Sequence, residues 1–497
     1  MSPFFQKTFS LDVSRCIFPP FKHQVIGTNT LVNSPVFALF DDMGVGKTKQ
    51  IIDAACILFE VGQIDTVIVV CPSVVKEVWL DPEYGEIQKH TWVPSRVLHF
   101  HSQGTMEILR KNNKELLWVI TNYAFLRQDQ HLKQLIQEIS VLKKFLVLDE
   151  SSFIKSRTAQ QTKACLKLRK TCARVVIVNG IPVASSPLDL WSQFRILHTA
   201  ILPFRNFYHF RSCFAVMGGW QNRQIIKWHN LEYLQKLIKP WMLRRTKEEC
   251  LDLPPKLYTT LEPEMTPVTY RLYKEMRDDM VAWLDTLSSV ANQPIVKILR
   301  LAQLIGGFLG GVEEVERIVT VEVGREKLDA LKTWLMEKKQ TDPDLRVLIW
   351  CRFRRELIRC ARELEFDPKL QFKVFTLCGG QTLQDRKAGI REFTSPRLKG
   401  PVAMVGQPQA GGFGLNFTSC HTVIYMSNDF NLLTRKQSED RVHRKGQQKA
   451  VLYVDILARG PKGQKTIDHK IRRVLQKKEE IATWTIDRWR KLLVEDI

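Results

Sequence analysis

Two glycines, a lysine and a hydroxyl side chain stand at the spacing that phosphate binding requires, within the segment Asp41–Thr48. Gly44 and Gly46 let backbone N–H groups close around phosphate oxygens, and Lys47 supplies positive charge to β and γ phosphates. The Thr48 hydroxyl can ligate a magnesium ion. We therefore assign nucleotide binding to six residues of this segment: Met43, Gly44, Val45, Gly46, Lys47 and Thr48.

The neighbouring residues supply the elements that hold such a loop. The apolar run Val36–Phe40 precedes it and a helical pattern begins at Lys49, so the segment predicts a strand, a loop and a helix. The N-terminus of that helix adds partial positive charge for an anion. Asp41 stands near the place where the strict pattern has another glycine, so an ordinary glycine turn is the alternative interpretation.

A pair of acids, Asp149 and Glu150, ends the apolar run Leu146–Leu148. A carboxylate at the end of a buried strand can hold magnesium, and its neighbour can orient and deprotonate an attacking water. Paired acids are common on surfaces but unexpected at the end of a buried strand. We interpret Asp149 as a metal ligand together with Thr48, and Glu150 as the catalytic base.

Five short apolar runs, separated by helical or loop segments, predict a parallel sheet buried on both faces. They are residues 36–40, 66–71, 117–121, 145–149 and 174–178. Ligands bind at the carboxyl ends of such strands, which makes Ser73, Thr121 and Trp79 candidate contacts to a sugar-phosphate backbone. Ahead of the first run, the Gln24 amide can donate to and accept from one edge of adenine, a surface glutamine being the alternative.

Length, charge and cysteine usage limit the class of protein. At 497 residues the chain exceeds one hydrophobic core and predicts two or three domains. A formal charge of +22 favours nucleic acid as a partner, a merely solubilising surface being the alternative. Eleven scattered cysteines indicate reduced core residues. No run reaches the roughly 18 apolar residues of a membrane span and no signal peptide is visible, so we expect no membrane partner.

A second set of apolar runs follows residue 326 and predicts a second parallel sheet. It comprises residues 346–351, 373–377, 401–405, 422–426 and 451–456. This part has no phosphate loop, so we do not expect it to act as an independent nucleotidase. Between the two sets, residues from about 201 to 324 break the strand rhythm with helix-like stretches and aromatic-basic clusters.

Taken in order, these motifs resemble the SWI/SNF-like DNA translocases of helicase superfamily two. The first motif of that family is similar to Asp41–Thr48, the second to Asp149–Lys155 and the third to Asn179–Trp191. Four other segments resemble motifs Ia, IV, V and VI: Val70–Ser73 with Trp79, Cys351–Phe353, Gln409–Asn416 and Gln437–Gln447.

The resemblance implies an α/β fold of two RecA-like, doubly wound parallel-sheet lobes. Helical insertions are expected between the lobes, and a helical extension at the C-terminus. The expected boundaries are an N-terminal ATP-binding lobe at 1–245 with an insertion from about 201, a C-terminal lobe at 246–460 with an insertion up to about 324, and the extension at 461–497.

The same resemblance implies a mechanism. ATP and Mg²⁺ are expected between the lobes. Arg441 and Arg444 are three residues apart and are expected on one face of a helix. From there both guanidinium groups would reach the triphosphate as catalytic residues. Closing and reopening the cleft would then move bound DNA stepwise. DNA contacts are expected from both lobes: Ser73, Thr121, Trp191, Arg352 and Gly412.

Two motifs, the second and the third, depart from the family pattern. Ser151 and Ser152 follow the acids where alanine and histidine are most common, and Ile181 stands where threonine is usual. A serine hydroxyl could replace the hydrogen bond that the histidine makes to the third motif. We therefore expect hydrolysis to be preserved and its coupling to DNA to be altered.

Three functions are compatible with these residues. The first is a DNA-dependent ATPase that translocates on double-stranded DNA and remodels DNA structures or displaces bound protein. The second is a strand-separating, branch-migrating or fork-reversing helicase on forked or branched DNA. The third is a non-catalytic basic module that binds nucleic acid.

The compact chain resembles bacterial or phage-encoded members, so we expect the protein in the cytoplasm of a prokaryotic or phage-infected cell rather than in a nucleus. The sequence names no partner among single-stranded-DNA-binding, replication or repair proteins.

Overall fold

A computed structural model describes residues 8–83, 85–101, 114–183, 186–219, 224–286, 293–314, 317–409 and 415–494. The chain divides into two compact units, the first being Met1–Asp252 with Ile481–Ile497 and the second Leu253–Glu480. The sequence places the first boundary after residue 245, and the observed division at Asp252 lies in the same connecting segment.

The strands of the first unit are β1 (Val36–Leu39), β2 (Thr66–Cys71), β3 (Ser95–His99), β4 (Leu116–Asn122), β5 (Lys144–Leu148), β6 (Arg174–Val178), β7 (Ala215–Gly218), β8 (Gln224–Trp228) and β9 (Met242–Leu243). Seven of them form a sheet in the order β3-β4-β2-β5-β6-β1-β9, in which all the neighbouring strands are parallel. The five predicted runs occupy β1, β2, β4, β5 and β6, because β-branched residues buried on both faces favour such strands.

The helices of the first unit are α1 (Lys22–Asn33), α2 (Lys47–Glu60), α3 (Lys76–Leu80), α4 (Glu86–His90), α5 (Tyr123–Leu126), α6 (Asp129–Glu138), α7 (Gln160–Arg169), α8 (Leu190–Leu197), α9 (Phe207–Phe214), α10 (Leu231–Ile238) and α11 (Lys247–Cys250). Alternate residues of β1, β2, β4, β5 and β6 pack with α7, α8, α9 and α10 in one hydrophobic core. The parallel strands therefore bring their carboxyl ends to one edge of the sheet, where the predicted site residues follow them.

The strands of the second unit are β10 (Lys256–Leu261), β11 (Phe308–Glu314), β12 (Arg317–Glu322), β13 (Arg346–Trp350), β14 (Lys373–Leu377), β15 (Val402–Gly406), β16 (Thr422–Tyr425) and β17 (Val451–Ile456). Six of them form a sheet in the order β10-β17-β16-β13-β15-β14, again parallel throughout. The five runs predicted after residue 326 correspond to β13 to β17. A parallel sheet in each unit confirms the predicted α/β fold class.

The helices of the second unit are α12 (Pro267–Thr286), α13 (Gln293–Ile305), α14 (Glu326–Thr341), α15 (Arg354–Phe366), α16 (Leu383–Thr394) and α17 (Leu432–Glu439), followed by α18 (Ile467–Val494), which begins in this unit and continues past its end at Glu480. The last of these is the predicted C-terminal helical extension. Between residues 201 and 324 the structure also contains two antiparallel hairpins, β7-β8 and β11-β12, that the sequence did not predict. In the described part of the chain, no helix combines the length and apolarity needed to cross a bilayer.

Candidate functional site

The phosphate loop connects β1 to α2, as the sequence predicts. Gly44 and Gly46 have φ angles of 79° and 82°, in the left-handed region that glycine adopts without strain. Gly46 caps α2 at its N-terminus, so the first N–H groups of the helix point toward the loop. A Cβ atom on Gly46 would lie 2.1 Å from Nε2 of Gln24, which shows how closely that side chain approaches the loop.

Lys47, the first residue of α2, turns its side chain back over the loop. Its Nζ atom donates hydrogen bonds of 2.7 and 2.8 Å to the carbonyl oxygens of Asp41 and Asp42. Thr48 follows it and is half-buried. The ammonium group and the hydroxyl therefore both lie at the carboxyl end of β1.

Asp149 and Glu150 lie directly after β5 at the same edge of the sheet. The indole Nε1 of Trp79 donates a hydrogen bond of 3.1 Å to Oδ2 of Asp149, and the backbone N–H of Glu150 donates one of 3.0 Å to Oδ1. Burial raises the pKa of the Asp149 carboxyl, while the Trp79 hydrogen bond and the positive charge of Lys47 oppose that rise. The two charged groups predicted to act on phosphate and magnesium thus interact electrostatically.

Glu150 has a φ angle of 53°, which is unusual for a residue with a side chain. This left-handed turn ends the strand, and a 3-10 turn, Ser151–Ile154, follows it. The hydroxyl of Tyr123 donates a hydrogen bond of 2.8 Å to the carbonyl oxygen of Asp149 and holds the turn from below. Asp149 therefore closes the strand, and Glu150 begins the turn that follows it.

Gln24 and its neighbour His23 contact the phosphate loop from α1. The His23 ring nitrogen Nε2 is 2.9 Å from the carbonyl oxygen of Val45, and Nε2 of Gln24 is 3.4 Å from those of Val45 and Gly46. Both side chains are buried. The structure thus brings Gln24 to the nucleotide loop, and its contact with the adenine edge stays a prediction.

Arg244 and Arg245 belong to the site although the sequence pattern did not single them out as site residues. Arg245 forms an ion pair with the fully buried carboxylate of Asp41, and its Nε donates a hydrogen bond of 3.0 Å to Oδ1 of the same residue. Arg244 pairs with Asp42 at 3.2 Å. Burial lowers the pKa of Arg244, and the charges of Asp42 and Asp41 oppose that change.

The two arginines follow β9, which lies beside β1 at the edge of the sheet. An acid pair that begins a phosphate loop needs compensating charge, and the sequence offers a matching basic pair at 244 and 245. The matching charges of the two pairs could have identified Arg244 and Arg245 as site residues. Nothing in the sequence, however, indicated that a two-residue strand would place them beside the loop.

Two of the DNA contacts predicted in the first unit are buried side chains. Thr121 lies in β4 between β2 and β3, and only 1% of its surface is exposed. Trp191 is 6% exposed and packs its ring 5.0 Å from that of Phe210. Both side chains serve the core, because their strand and helix are covered on the relevant faces. Ser73, by contrast, is exposed beyond β2 and stays a prediction.

Arg352 follows β13 at the carboxyl edge of the second sheet. Its backbone N–H donates a hydrogen bond of 2.8 Å to the Ser427 hydroxyl, and its guanidinium group lies 5.2 Å from the ring centre of Phe353. Partial burial lowers its pKa, while the carboxylates of Asp429 and Glu356 oppose that change. Contact between Arg352 and DNA stays a prediction. Gly412 lies outside the described residues.

Arg441 and Arg444 do not share a helix face, so that prediction is wrong. Helix α17 ends at Glu439, and the two arginines lie in the turns that follow. The carbonyl oxygen of Arg441 accepts a hydrogen bond of 2.9 Å from the N–H of Phe417 in another segment, which competes with continuation of the helix. Gly446, at a φ angle of 98°, turns the chain further.

The two arginines nevertheless lie three residues apart on one short segment. Burial lowers the pKa of Arg441 to about 10, and the positive charge of Arg444 contributes to that shift. Arg444 donates a hydrogen bond of 3.1 Å to the carbonyl oxygen of Leu415, and Nε2 of His443 is 2.7 Å from the carbonyl oxygen of Pro254. The segment is thus held in place by its neighbours, with Arg441 charged at neutral pH.

The fold and the first site together define a class of protein. A glycine-rich phosphate loop, its lysine and an acid pair lie at the carboxyl edge of one parallel sheet, and a second parallel sheet follows with no phosphate loop among its described residues. These are the features of a two-lobed, phosphate-loop nucleotide-dependent protein.

The chain belongs to the SNF2-related domain family, which matches residues 33–306, more than half of the 497 residues. A second match, to the helicase conserved C-terminal domain, covers residues 326–446. The family resemblance predicted from the motifs is confirmed. The two matched domains agree with the predicted enzyme class, a helicase-type ATPase, and the activity itself stays a proposal.

Curated relatives come from bacteria and eukaryotes. An uncharacterized ATP-dependent helicase of Mycoplasma pneumoniae is 25% identical over 92% of this chain and 40% of its own length. The SWI/SNF-related matrix-associated actin-dependent regulator of chromatin subfamily A containing DEAD/H box 1 homolog of Caenorhabditis elegans is 25% identical over 88% of this chain and 49% of its own. The TATA-binding protein-associated factor MOT1 of Saccharomyces cerevisiae is 24% identical over 90% of this chain and 26% of its own. The chain spans less than half of each of these relatives.

Among solved structures, the SWI2/SNF2 ATPase core of Sulfolobus solfataricus in complex with dsDNA covers 96% of both chains at 22% identity, with a TM-score of 0.43. The same core domain solved separately covers 97% of this chain at a TM-score of 0.41.

Proposed function

We propose that this chain is a double-stranded-DNA-stimulated ATPase that translocates along duplex DNA. The observation that carries the proposal is the common sheet edge at which Lys47 acts electrostatically on the carboxyl group of Asp149. Binding of a triphosphate requires that lysine, and hydrolysis requires an adjacent acid pair. Membership of the SNF2-related family supports the same activity.

The side chains at this edge fit ATP with magnesium. Oδ1 and Oδ2 of Asp149 each accept one hydrogen bond, which orients the carboxylate and leaves lone pairs for a metal ion. Thr48 and Asp149 would hold Mg²⁺, which when bound neutralises charge that develops on the phosphates. Lys47 and the loop N–H groups bind the phosphates. Glu150 orients the attacking water and accepts its proton.

Arg441 and Arg444 are assigned to the transition state of hydrolysis. Guanidinium groups stabilise charge on a transferring phosphoryl group, and this effect is worth roughly 10³ to 10⁵ in rate in related chemistry. Their neighbouring position on one anchored segment, with Arg441 charged at neutral pH, supports this role.

Duplex DNA is proposed as the track because of charge and family. The chain carries a formal charge of +22, which favours a polyanion. Ser73 and Arg352 follow strands at the carboxyl edges of their sheets, where each is partly or fully accessible. Contacts to phosphates carry no sequence information, so we expect little sequence preference.

The test is phosphate release measured without nucleic acid and with single-stranded, duplex, forked and four-way DNA. Duplex is expected to stimulate the rate, and displacement of the third strand of a triplex is expected to require ATP. Equal rates with and without DNA would contradict the proposal. Strand separation on forks or branch migration on four-way junctions, without triplex displacement, would instead favour the helicase alternative.

A matched pair of lysine variants controls this experiment. Lys47→Ala removes the phosphate-binding charge and is expected to abolish stimulated hydrolysis. Lys163→Ala removes an exposed lysine from α7 and is expected to leave hydrolysis unchanged. A Lys47→Ala variant with wild-type rates would overturn the assignment of the site.

A further inference from the structure

Gln193 lies on α8 with its side chain completely buried, and its amide group makes three hydrogen bonds. Its Oε1 accepts a bond of 2.7 Å from the hydroxyl of Ser151. Its Nε2 donates bonds of 2.9 and 3.0 Å to the carbonyl oxygens of Pro182 and Asp189. Ser151 and Gln193 both have exposed fractions of 0%, so no contact with bulk water substitutes for these bonds.

The orientation of this amide is determined by its partners. Carbonyl oxygens can only accept, so the NH₂ group must face Pro182 and Asp189. Oε1 then faces Ser151, whose hydroxyl must act as the donor. A glutamine is one of few side chains that can accept on one side and donate twice on the other, and an apolar residue at 193 would break all three bonds.

Two of the three partners of Gln193 connect to the nucleotide site, and the third, Asp189, lies at the start of α8 itself. Ser151 is bonded covalently to Glu150, the proposed base. Pro182 lies in the segment that follows β6, and Gly180 in the same segment lies against the phosphate loop. A Cβ atom on Gly180 would be 2.4 Å from Cγ and 3.2 Å from the backbone nitrogen of Met43.

The loop after β6 is fixed at two further points. The side chain of Asn179 accepts a hydrogen bond of 2.9 Å from the N–H of Ile181. The carbonyl oxygen of Gly180 accepts one of 3.2 Å from Nη1 of Arg244, whose guanidinium group also bonds to the carbonyl oxygen of Phe40. A continuous set of short contacts therefore joins the segment of Glu150 to the phosphate loop through Gln193.

We propose that Gln193 is a positioning residue that holds Glu150 at a fixed place relative to the phosphate loop. This inference rests on the proposed ATPase function. The sequence suggests that a serine hydroxyl replaces the link from the acid pair to the third motif. In this role Ser151 bonds to Gln193, which in turn bonds to the segment after β6. A general base must lie within hydrogen-bond reach of its water, so small displacements of Glu150 reduce the rate.

The inference predicts a specific kinetic signature. Gln193→Met has a similar volume but cannot make the three hydrogen bonds, and Ser151→Ala removes the donor alone. We expect kcat for ATP hydrolysis to fall by about tenfold or more in Gln193→Met, with KM for ATP changed less than about twofold, because the base is displaced while Lys47 stays in place. The double variant is expected to equal Gln193→Met in kcat, since both changes break one connection.

Stability measurements separate positioning from folding. Each single variant leaves a buried polar group without its partner and is therefore expected to lower Tm. In the double variant, alanine at 151 faces methionine at 193 and neither side chain needs a hydrogen bond, so part of the Tm loss is recovered. Recovery of Tm without recovery of kcat is the result that supports a positioning role.

Two control variants lie on the same helix. Ser192→Ala removes a buried hydroxyl that has no hydrogen-bond partner among the described residues, and wild-type kcat is expected. Ile196→Val lowers core stability by a comparable route without touching Gln193. For each variant the fall in kcat is compared with the fall in Tm. If Ile196→Val loses as much kcat per degree of Tm as Gln193→Met does, the effect of Gln193 on kcat is only structural. That result would overturn the positioning role.

The outcome for the wild-type chain distinguishes the two proposals. Absence of DNA-stimulated hydrolysis in the wild type would refute the proposed function itself. Stimulated hydrolysis in the wild type with an unchanged kcat in Gln193→Met would refute only the role of Gln193.

Discussion

The indole N–H of Trp79 donates a hydrogen bond to the carboxylate of Asp149, 70 residues further along the chain. Trp79 lies on α3, is 1% exposed, and packs its ring 6.4 Å from that of Trp118. The sequence made Trp79 a candidate for contact with a sugar-phosphate backbone. The structure instead uses it to orient a proposed metal ligand.

Trp79→Phe is therefore expected to weaken the magnesium site. Phenylalanine keeps most of the packing but cannot donate, and loss of a partner that orients a metal ligand costs about 10- to 100-fold in metal affinity or activity. The measurement is ATPase rate against Mg²⁺ concentration at saturating ATP. Trp118→Phe is the matched control, because Nε1 of Trp118 has no hydrogen-bond partner within the described ranges. An unchanged Mg²⁺ requirement in Trp79→Phe would contradict the orienting role.

Arg245→Met is expected to destabilise the first unit and weaken ATP binding. It leaves the buried carboxylate of Asp41 without its countercharge, which costs about 3–5 kcal/mol when one partner of a buried pair is removed. Urea unfolding and nucleotide titration measure the two effects. Lys133→Met removes an exposed partner of Asp129 and is expected to change stability far less, because solvent screens that pair. Similar losses in both variants would argue against a bracing role for Arg245.

Glu439 is expected to make the second unit sensitive to acid. Burial alone would raise its pKa, but the charges of Lys436, Arg435 and Lys256 outweigh burial and bring the pKa to about 2, below the ordinary value of 4.5. A lowered folded-state pKa contributes stability that is fully present above about pH 4.5 and is lost as pH falls toward about 2.

The difference in stability between wild type and Glu439→Gln checks this expectation. It should be on the order of 3 kcal/mol at pH 6 and shrink as pH approaches 2. Glu365→Gln, an exposed position on α15, should show almost no pH-dependent difference. A constant difference across the whole range for Glu439→Gln would show that its carboxylate is not stabilised by those neighbours.

Duplex affinity is expected to fall steeply with salt. Each neutralised phosphate contributes about −0.9 to the slope of log affinity against log salt concentration. Arg352→Gln is expected to reduce the magnitude of that slope by about one, as removal of a single phosphate contact does. Arg362→Gln removes an exposed arginine on α15 and should leave the slope unchanged. Titrations of fluorescent duplex at several salt concentrations give both slopes, and equal slopes for Arg352→Gln and the wild type would exclude that contact.

The sequence by itself determined the most apolar strands of the two sheets, the phosphate loop and the positions of Lys47, Asp149 and Glu150. These features depend on local physics: buried parallel strands are continuous apolar runs, and a loop around phosphate needs glycine at particular positions. Strands with mixed polarity, such as β10, escaped prediction because their burial depends on neighbours. The helix expected around Arg441 failed for a similar reason, since Phe417 takes a backbone group that a helix would need.

Only the tertiary structure decided which side chains meet at the site. Arg245 and Asp41 are 204 residues apart, and Ser151 and Gln193 are 42 apart. Thr121 and Trp191 are the opposite case. They were expected to contact DNA, but residues from distant segments cover both side chains. A hydrogen bond or an ion pair needs a partner at the right distance, and burial needs a covering surface, so both depend on how distant segments pack together.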